Sequence, residues 1–231
     1  MKKILHHLAT DWYKYLLELI VITAGVLGAF ALNAWKEERK QGIFEQEVLN
    51  QILVNLKEDQ ANLQGIVVDF EAAIASSKKI LSFNEQENDR DSLQYWLGDI
   101  IQFSRFQPLT NSYELLKSRG LDNLSNKELA FMLGKYYDDV SYKTGQSIRD
   151  IEISFNNDWI PLLKEEVVAV KWQEKVELNN WDILVSKNGQ ARILVILNKD
   201  NYQGGLYRIK KALLSIEQLI QILELETKAF E

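Results

Sequence analysis

The pattern of hydrophobic and polar positions changes character near the start of the chain. From Leu16 to Trp35 it is almost continuously apolar, interrupted only by Glu18, Thr23 and Asn33. About twenty such residues are what an α-helix needs to cross the hydrocarbon core of a bilayer. Trp12, Tyr13 and Tyr15 lie at one end of the run and Trp35 at the other. Amphipathic rings favour the two headgroup zones, so these four read as interface anchors. Charge then begins abruptly with Lys36, Glu37, Glu38, Arg39 and Lys40. The pattern predicts an arm over 1–15 and a transmembrane helix over 16–35.

Beyond the run the period becomes that of an amphipathic helix. Leu49, Leu56, Leu63 and Phe70 recur every seven residues, with Ile52, Leu53, Ile66, Val67 and Ile74 between them. Lys57, Glu58, Asp59 and Glu71 are assigned mostly to the opposite, polar side. This spacing predicts one long membrane-proximal helix over 36–82, softened at Gly42 and Gly65. Its apolar stripe is wider than a strict coiled-coil seam, which favours an intramolecular bundle over a coiled-coil stalk between protomers. The fold class expected is therefore mostly α: a transmembrane helix, a long helix, and a helical-bundle soluble domain over 83–231 packing with it.

Within that domain, Asn84 to Asp91 is a polar, acidic turn without the glycine and terminal Glu of a calcium loop. Ser92 to Phe106 has helical period and ends at Pro108. Asn111 to Arg119 reads as a short helix stopped by Gly120. Ser125 with Glu128 reads as a capping box opening a long helix that continues to Trp159. Val167, Val168 and Val170 suit either a short strand or a helix tail. Asn188-Gly189 marks a turn, and Ala191 to Leu197 a short apolar element. Gly204-Gly205 is expected to break the chain before a last amphipathic helix from Leu206 to Phe230.

Composition changes this picture mainly by exclusion. The 231 residues are 46% hydrophobic and 26% charged, as in folded proteins, with net charge -6. No basic stripe is visible, so no nucleic-acid partner is expected. Cysteine is absent, and the only histidines are His6 and His7. The soluble part therefore cannot build a Ser-His-Asp triad, a thiolate nucleophile or a His/Cys zinc site from its own residues. No catalytic residues, cofactor or metal site are expected. Paired acids at Asp138-Asp139, and Asn157-Asp158, read as solvated helix faces.

The membrane run itself is not uniform. At 100° per residue Glu18, Ile22, Gly25, Ala29 and Lys36 share one face, with Asn33 at its edge. Ala24 with Gly28 and Gly25 with Ala29 are small-xxx-small pairs, which let helices approach closely in lipid. Glu18, Ile22, Gly25, Gly28, Ala29 and Asn33 thus form a candidate helix-contact face. Glu18 could also reach the headgroups near Lys14. A cleaved signal peptide ending at Ala29-Phe30-Ala31 and a buried core helix are the rival readings of the run. Lys2, Lys3 and Lys14 on one side balance Lys36, Arg39 and Lys40 on the other. The free N-terminus and the two histidines tip the balance slightly toward a cytoplasmic N-terminus, with the soluble domain periplasmic.

Two stretches carry a resemblance. Tyr15-Leu-Leu-Glu18 through Asn33-Ala-Trp35-Lys-Glu-Glu-Arg39-Lys40 is the first. Ser112-Tyr-Glu-Leu-Leu-Lys117-Ser118-Arg-Gly120, followed by Leu124 to Leu129 and Tyr136-Tyr137, is the second. Together they resemble the bacterial membrane-protein family designated domain-of-unknown-function family 6090, common in Bacteroidota. In that family a Glu begins the span, Asn-x-Trp closes it, and Glu-Leu-Lys-Ser-x-Gly lies in the soluble part. Glu18, Asn33 and Trp35 match the first motif; Glu114, Leu116, Lys117, Ser118 and Gly120 match the second, with one additional Leu. Leu17 stands where a small residue is expected. The resemblance implies a single-span protein of the bacterial cell membrane and no activity.

Lys117 and Arg119, beside a helix end, are a candidate anion contact, although cations there commonly complement the helix dipole. The function expected is a membrane-anchored interaction or scaffold protein without catalytic activity. Its partners would be the lipid bilayer and either a second copy or another membrane protein. The alternative is a membrane sensor or transport accessory subunit that uses Glu18 within the bilayer.

Overall fold

The computed structural model describes residues 12–228, apart from the side chain of Tyr15. His6 and His7, and most of the expected arm, lie outside the described residues. One α-helix, α1, runs from Trp12 to Leu81 without interruption at Gly42 or Gly65. The chain divides into two compact units, 1–47 and 48–231. The boundary falls inside α1.

In the first unit α1 keeps its apolar side chains in the open. No residue from Leu16 to Trp35 is buried. Lys40 pairs with Glu37 at 3.0 Å, and the Arg39 guanidinium lies 5.8 Å from the centre of the Trp35 ring.

The second unit is a helical bundle. After α1 come α2 (Ser92–Ile100), α3 (Asn111–Ser118), a 3-10 turn (Leu121–Asn123) and α4 (Lys127–Lys135). A π-turn (Tyr136–Val140), α5 (Ser141–Ser154), a second π-turn (Phe155–Trp159) and α6 (Ile160–Glu166) continue α4 as one helical run over 127–166. A hairpin of β1 (Val167–Lys171) and β2 (Lys175–Leu178), a short α7 (Asp182–Val185) and the long α8 (Arg192–Lys228) complete it.

Three long stretches carry the core: 48–81 of α1, the run 127–166, and α8. Helix α8 lies antiparallel to α1. Lys57 meets Glu224 at 2.6 Å, Glu71 meets Lys210 at 2.8 Å, and Arg192 donates to the Leu81 carbonyl at 2.7 Å. The stripe expected on α1 is the buried one: Leu49, Ile52, Leu56, Leu63, Ile66, Phe70 and Ile74 are buried, as are Ile209, Ile216, Leu219 and Leu223 of α8. At the far end of the bundle Ile80, Leu97, Trp159, Val176, Ile183 and Val195 form one cluster, closed over by α2, the hairpin and α7.

Several local expectations need correction. The helix expected over Ser92 to Phe106 stops at Ile100, and 102–110 has no regular secondary structure. The cap of α4 is Asn126, whose side chain accepts from the Leu129 N–H at 3.0 Å; the expected Ser125 box is one residue early. Gly204-Gly205 does not break the chain, since α8 runs through both. Their role is approach: a Cβ on Gly205 would sit 2.7 Å from Phe70 Cε2, whereas one on Gly204 would meet nothing within 4 Å. Phe70 stands edge-on to Tyr202 at 4.8 Å, so α8 must be smooth there for the ring to fit. Val167 to Lys171 is a strand, whose partner β2 the hydrophobic pattern did not reveal. Gly120 does take positive φ, +92°, just past α3, as its place after the helix suggested.

Candidate functional site

Two places concentrate unusual chemistry, one in each unit. In the first, the 18-residue apolar window in α1 is long and apolar enough to cross a membrane, and none of it is buried. Full exposure removes the core-helix reading for this fold. The anchors Trp12, Tyr13 and Trp35 are all exposed, and Lys14 lies 5.8 Å from the Tyr13 ring centre. The side chain of Tyr15 lies outside the description. Because α1 is regular, Glu18, Ile22, Gly25 and Ala29 share a face, with Gly28 and Asn33 beside it. All six are exposed, and a Cβ added to Gly25 or Gly28 would meet nothing within 4 Å. Among the described residues nothing packs against these small residues.

In the second unit, sequence reasoning missed a buried polar cluster. Asp59 is only 2% exposed, although it was assigned to the polar side of α1. It falls three residues after Leu56 and four before Leu63, which places it on the apolar stripe; that spacing was the available signal. Both of its carboxylate oxygens accept from the Leu109 N–H, at 3.2 and 3.3 Å. One turn earlier, Asn55 donates to Asn111 Oδ1 at 2.9 Å and accepts from Gln51 at 3.1 Å.

The reason lies in the irregular segment 102–110. Backbone outside helix and sheet must find other partners when it is covered. Here side chains supply them. Tyr202 donates to the carbonyls of Ile100 and Gln102 at 3.0 and 2.7 Å, Ser104 donates to Asp69 at 3.1 Å, and Asp59 holds Leu109. The segment is therefore clamped between α1 and α8 by side chains.

Removal from water pushes the Asp59 carboxyl up from 3.8 to about 6, against the opposing hydrogen bond from Leu109 and with help from the neighbouring charge of Glu58. The first π-turn brings tyrosines to the same place. A π-turn widens the helix by a residue, which lets consecutive Tyr136 and Tyr137 both point inward. Neither hydroxyl makes a hydrogen bond of ordinary geometry. Burial first, and then the Asp59 charge, raise both phenols and keep them neutral. Tyr137 stacks on Tyr113 at 4.4 Å, and Tyr113 donates to Asp138 at 2.9 Å.

Lys117, from the anion-contact pair, donates to Asp138 at 2.8 Å and lies 5.4 Å from the Tyr113 ring centre. That hydrogen bond, with smaller help from Tyr113, holds the Asp138 carboxyl below its ordinary value. Lys117 is thus committed to a carboxylate of its own chain, and Arg119 is also engaged within the chain. Asp139, the other member of the acid pair, meets Lys143 at 2.5 Å. The acidic turn is stitched by Arg90, which bridges Glu85 at 2.7 Å and Asp182 at 3.0 Å.

A cleft of about 560 Å³ opens between 104–110 and α5, with Arg105, Arg149, Glu152 and Tyr142 in its wall. Arg105 already binds Glu152 through both Nε and Nη2. Among the described residues no group of three or more metal-ligating side chains converges. The Asp59 cluster is closed to solvent, and its carboxylate is spent on a backbone N–H, so it holds structure together.

No family model matches the chain, and neither the curated proteins nor the solved structures give a match. The fold and the two sites therefore stand on their own geometry: a mostly helical protein with one exposed apolar helix segment and a bundle domain.

Proposed function

We propose that this is a single-span membrane protein whose bundle domain serves interaction, without catalytic activity. The observation that carries the reading is the complete exposure of the apolar window in α1, flanked at both ends by aromatic and basic side chains. Leaving so long an apolar stripe in water is costly, at about 25 cal/mol per Å² of apolar surface. A bilayer removes that cost, and only a helix or a closed barrel satisfies its backbone there. The interaction role rests on the closed, clamped interior of the domain, which offers structure and surface. The two motifs around Glu18 and Lys117 support placing the chain with the domain-of-unknown-function family 6090, and His6 and His7, added to otherwise balanced flanking charges, support a periplasmic domain.

Alkaline carbonate extraction of membranes from expressing cells tests the anchor. The chain should stay in the pellet, and a Leu19→Arg, Val26→Arg double variant should move to the supernatant. Release of the unaltered chain would remove the proposal. The sensor alternative rests on Glu18 in the span. On that alternative Glu18→Gln stays in the pellet but loses function, and full function in the variant would rule it out.

A further inference from the structure

The cleft of about 560 Å³ between 104–110 and α5 carries a charge of its own. Its wall holds three charged side chains, Arg105, Arg149 and Glu152. Two guanidiniums thus share one carboxylate, a local excess of positive charge in a chain of net charge -6. Glu152 is the more sheltered, with its side chain 21% exposed against 73% for Arg105. Their pairing is lopsided. Nε and Nη2 of Arg105 both reach Glu152 Oε1, Oε2 receives only a shared contact from Nε at 3.3 Å, and Nη1 has no partner among the described residues. A guanidinium matches a carboxylate best when two N–H groups each face their own oxygen. The hydrogen bond from Arg105, and to a smaller degree the charges of Arg105 and Arg149, hold the Glu152 carboxyl below its ordinary value. Arg149, one turn earlier on α5, makes no hydrogen bond or ion pair of its own among the described residues.

The opposite wall supplies further donors. Among the described residues the backbone N–H groups of 104–107 find no acceptor. Phe106, Pro108 and Tyr142 set apolar surface beside them. Pockets for small molecules commonly enclose about 70–90% of their ligand. Here Arg105, Gln107, Tyr142 and Arg149 are all exposed, so the cleft is an open trough. A trough with spare guanidinium donors on one side and free backbone donors on the other suits a length of polypeptide that carries an acidic side chain, since arginine clusters read acidic motifs.

We propose that this cleft docks a peptide segment of a partner protein through one carboxylate side chain, held by Arg149 and the unpaired edge of Arg105. The segment's backbone carbonyls accept from the N–H groups of 104–107. Glu152 acts as an internal competitor that orients Arg105 in the free chain and occupies part of its fork. This rests on the interaction reading above and deepens it by naming the surface and the partner's chemistry; it does not depend on membrane insertion. Because most of the wall is exposed, the contact is weak and sensitive to salt.

The probe is a pool of fluorescein-labelled, C-terminally amidated pentapeptides with a central Glu and uncharged residues elsewhere. A second pool carries Gln at the centre. Fluorescence anisotropy reads their binding to the full chain in mild detergent. The Glu pool should bind about fivefold or more tightly than the Gln pool. Arg149→Ala should reduce it to the Gln level, and Glu152→Gln, which removes the competing carboxylate, should strengthen it by about twofold or more. Arg208→Ala removes an exposed cation of α8 and should change nothing. Circular dichroism should be the same for all variants. Equal binding of the two pools, undiminished binding by Arg149→Ala, weaker binding by Glu152→Gln, or an equal loss with Arg208→Ala would each overturn the proposal. Displacement of the Glu pool by free N-acetylglutamate as readily as by unlabelled peptide would make the ligand a small acid and overturn the peptide assignment. Carbonate extraction reads the membrane anchor separately, so failure here leaves that reading standing.

Discussion

Replacing Asp59 by asparagine should stabilise the protein at neutral pH and leave it unchanged in acid. The fold raises the Asp59 carboxyl from 3.8 to about 6 because burial penalises its charged form. A carboxyl raised in the folded state binds its proton more tightly there than in the unfolded chain. Its stabilising effect is therefore fully present below pH ~3.8 and is lost as pH rises through about 6. At about 1.4 kcal/mol per pH unit, the displacement sets a ceiling of about 3 kcal/mol on the stability lost between pH 4 and pH 7.5. Residual water screening lowers the expected figure to roughly 1–2 kcal/mol. The Asp59→Asn side chain keeps an oxygen for the Leu109 N–H, and its new N–H₂ lies near two tyrosine hydroxyls that lack partners. The assay is urea unfolding of the full chain in mild detergent, followed by tryptophan fluorescence at several pH values. Exposed carboxylates lowered by partners, such as Asp138, act in the opposite sense in both proteins and cancel in the difference. A variant less stable at pH 7.5, or a wild-type-to-variant difference that does not change with pH, would refute the reasoning.

Other consequences are separable. Gly205→Ala should lower the melting temperature, with a cost of about 1–3 kcal/mol, because its Cβ would press on the Phe70 ring. Gly204→Ala, one residue away and facing open space, should be neutral or stabilise by up to about 1 kcal/mol. Trp159→Ala should cost about 3–5 kcal/mol in the same unfolding assay, since the ring is 1% exposed within the far cluster. Trp159→Phe should cost much less, because the indole N–H has no partner to lose. Lys117→Ala should leave the melting temperature close to that of the unaltered chain, as its pair with Asp138 is half exposed on both sides.

Much of the fold was legible in the sequence, for one reason: a helix that buries one face leaves a period. The stripe from Leu49 to Ile74 set out the buried side of α1, and the aromatic ends of 16–35 set out its exposed part. What was not legible depended on neighbours distant in sequence. Asp59 reads as a surface charge until the Leu109 N–H is placed beside it. Gly204-Gly205 reads as a break until Phe70 is known to need the space. Ser92 to Phe106 reads as helical by period, yet the helix stops at Ile100, and Tyr202 and Asp59 bond the backbone of 100–109 instead. Strand β2 has only two buried side chains, Val176 and Leu178, too few to mark a strand by alternation. Of the site residues, Lys117 turned out to be bound by Asp138.

The central claim is that α1 crosses a bilayer between its two aromatic ends. Single cysteines placed along 13–40 of this cysteine-free chain, probed with a membrane-impermeant maleimide in intact membranes, measure it most directly. Positions 19–32 should stay unlabelled until detergent is added, and positions 13–14 and 36–40 should label from opposite faces of the membrane. Uniform labelling across the segment, or labelling of both ends from one face, would contradict the account.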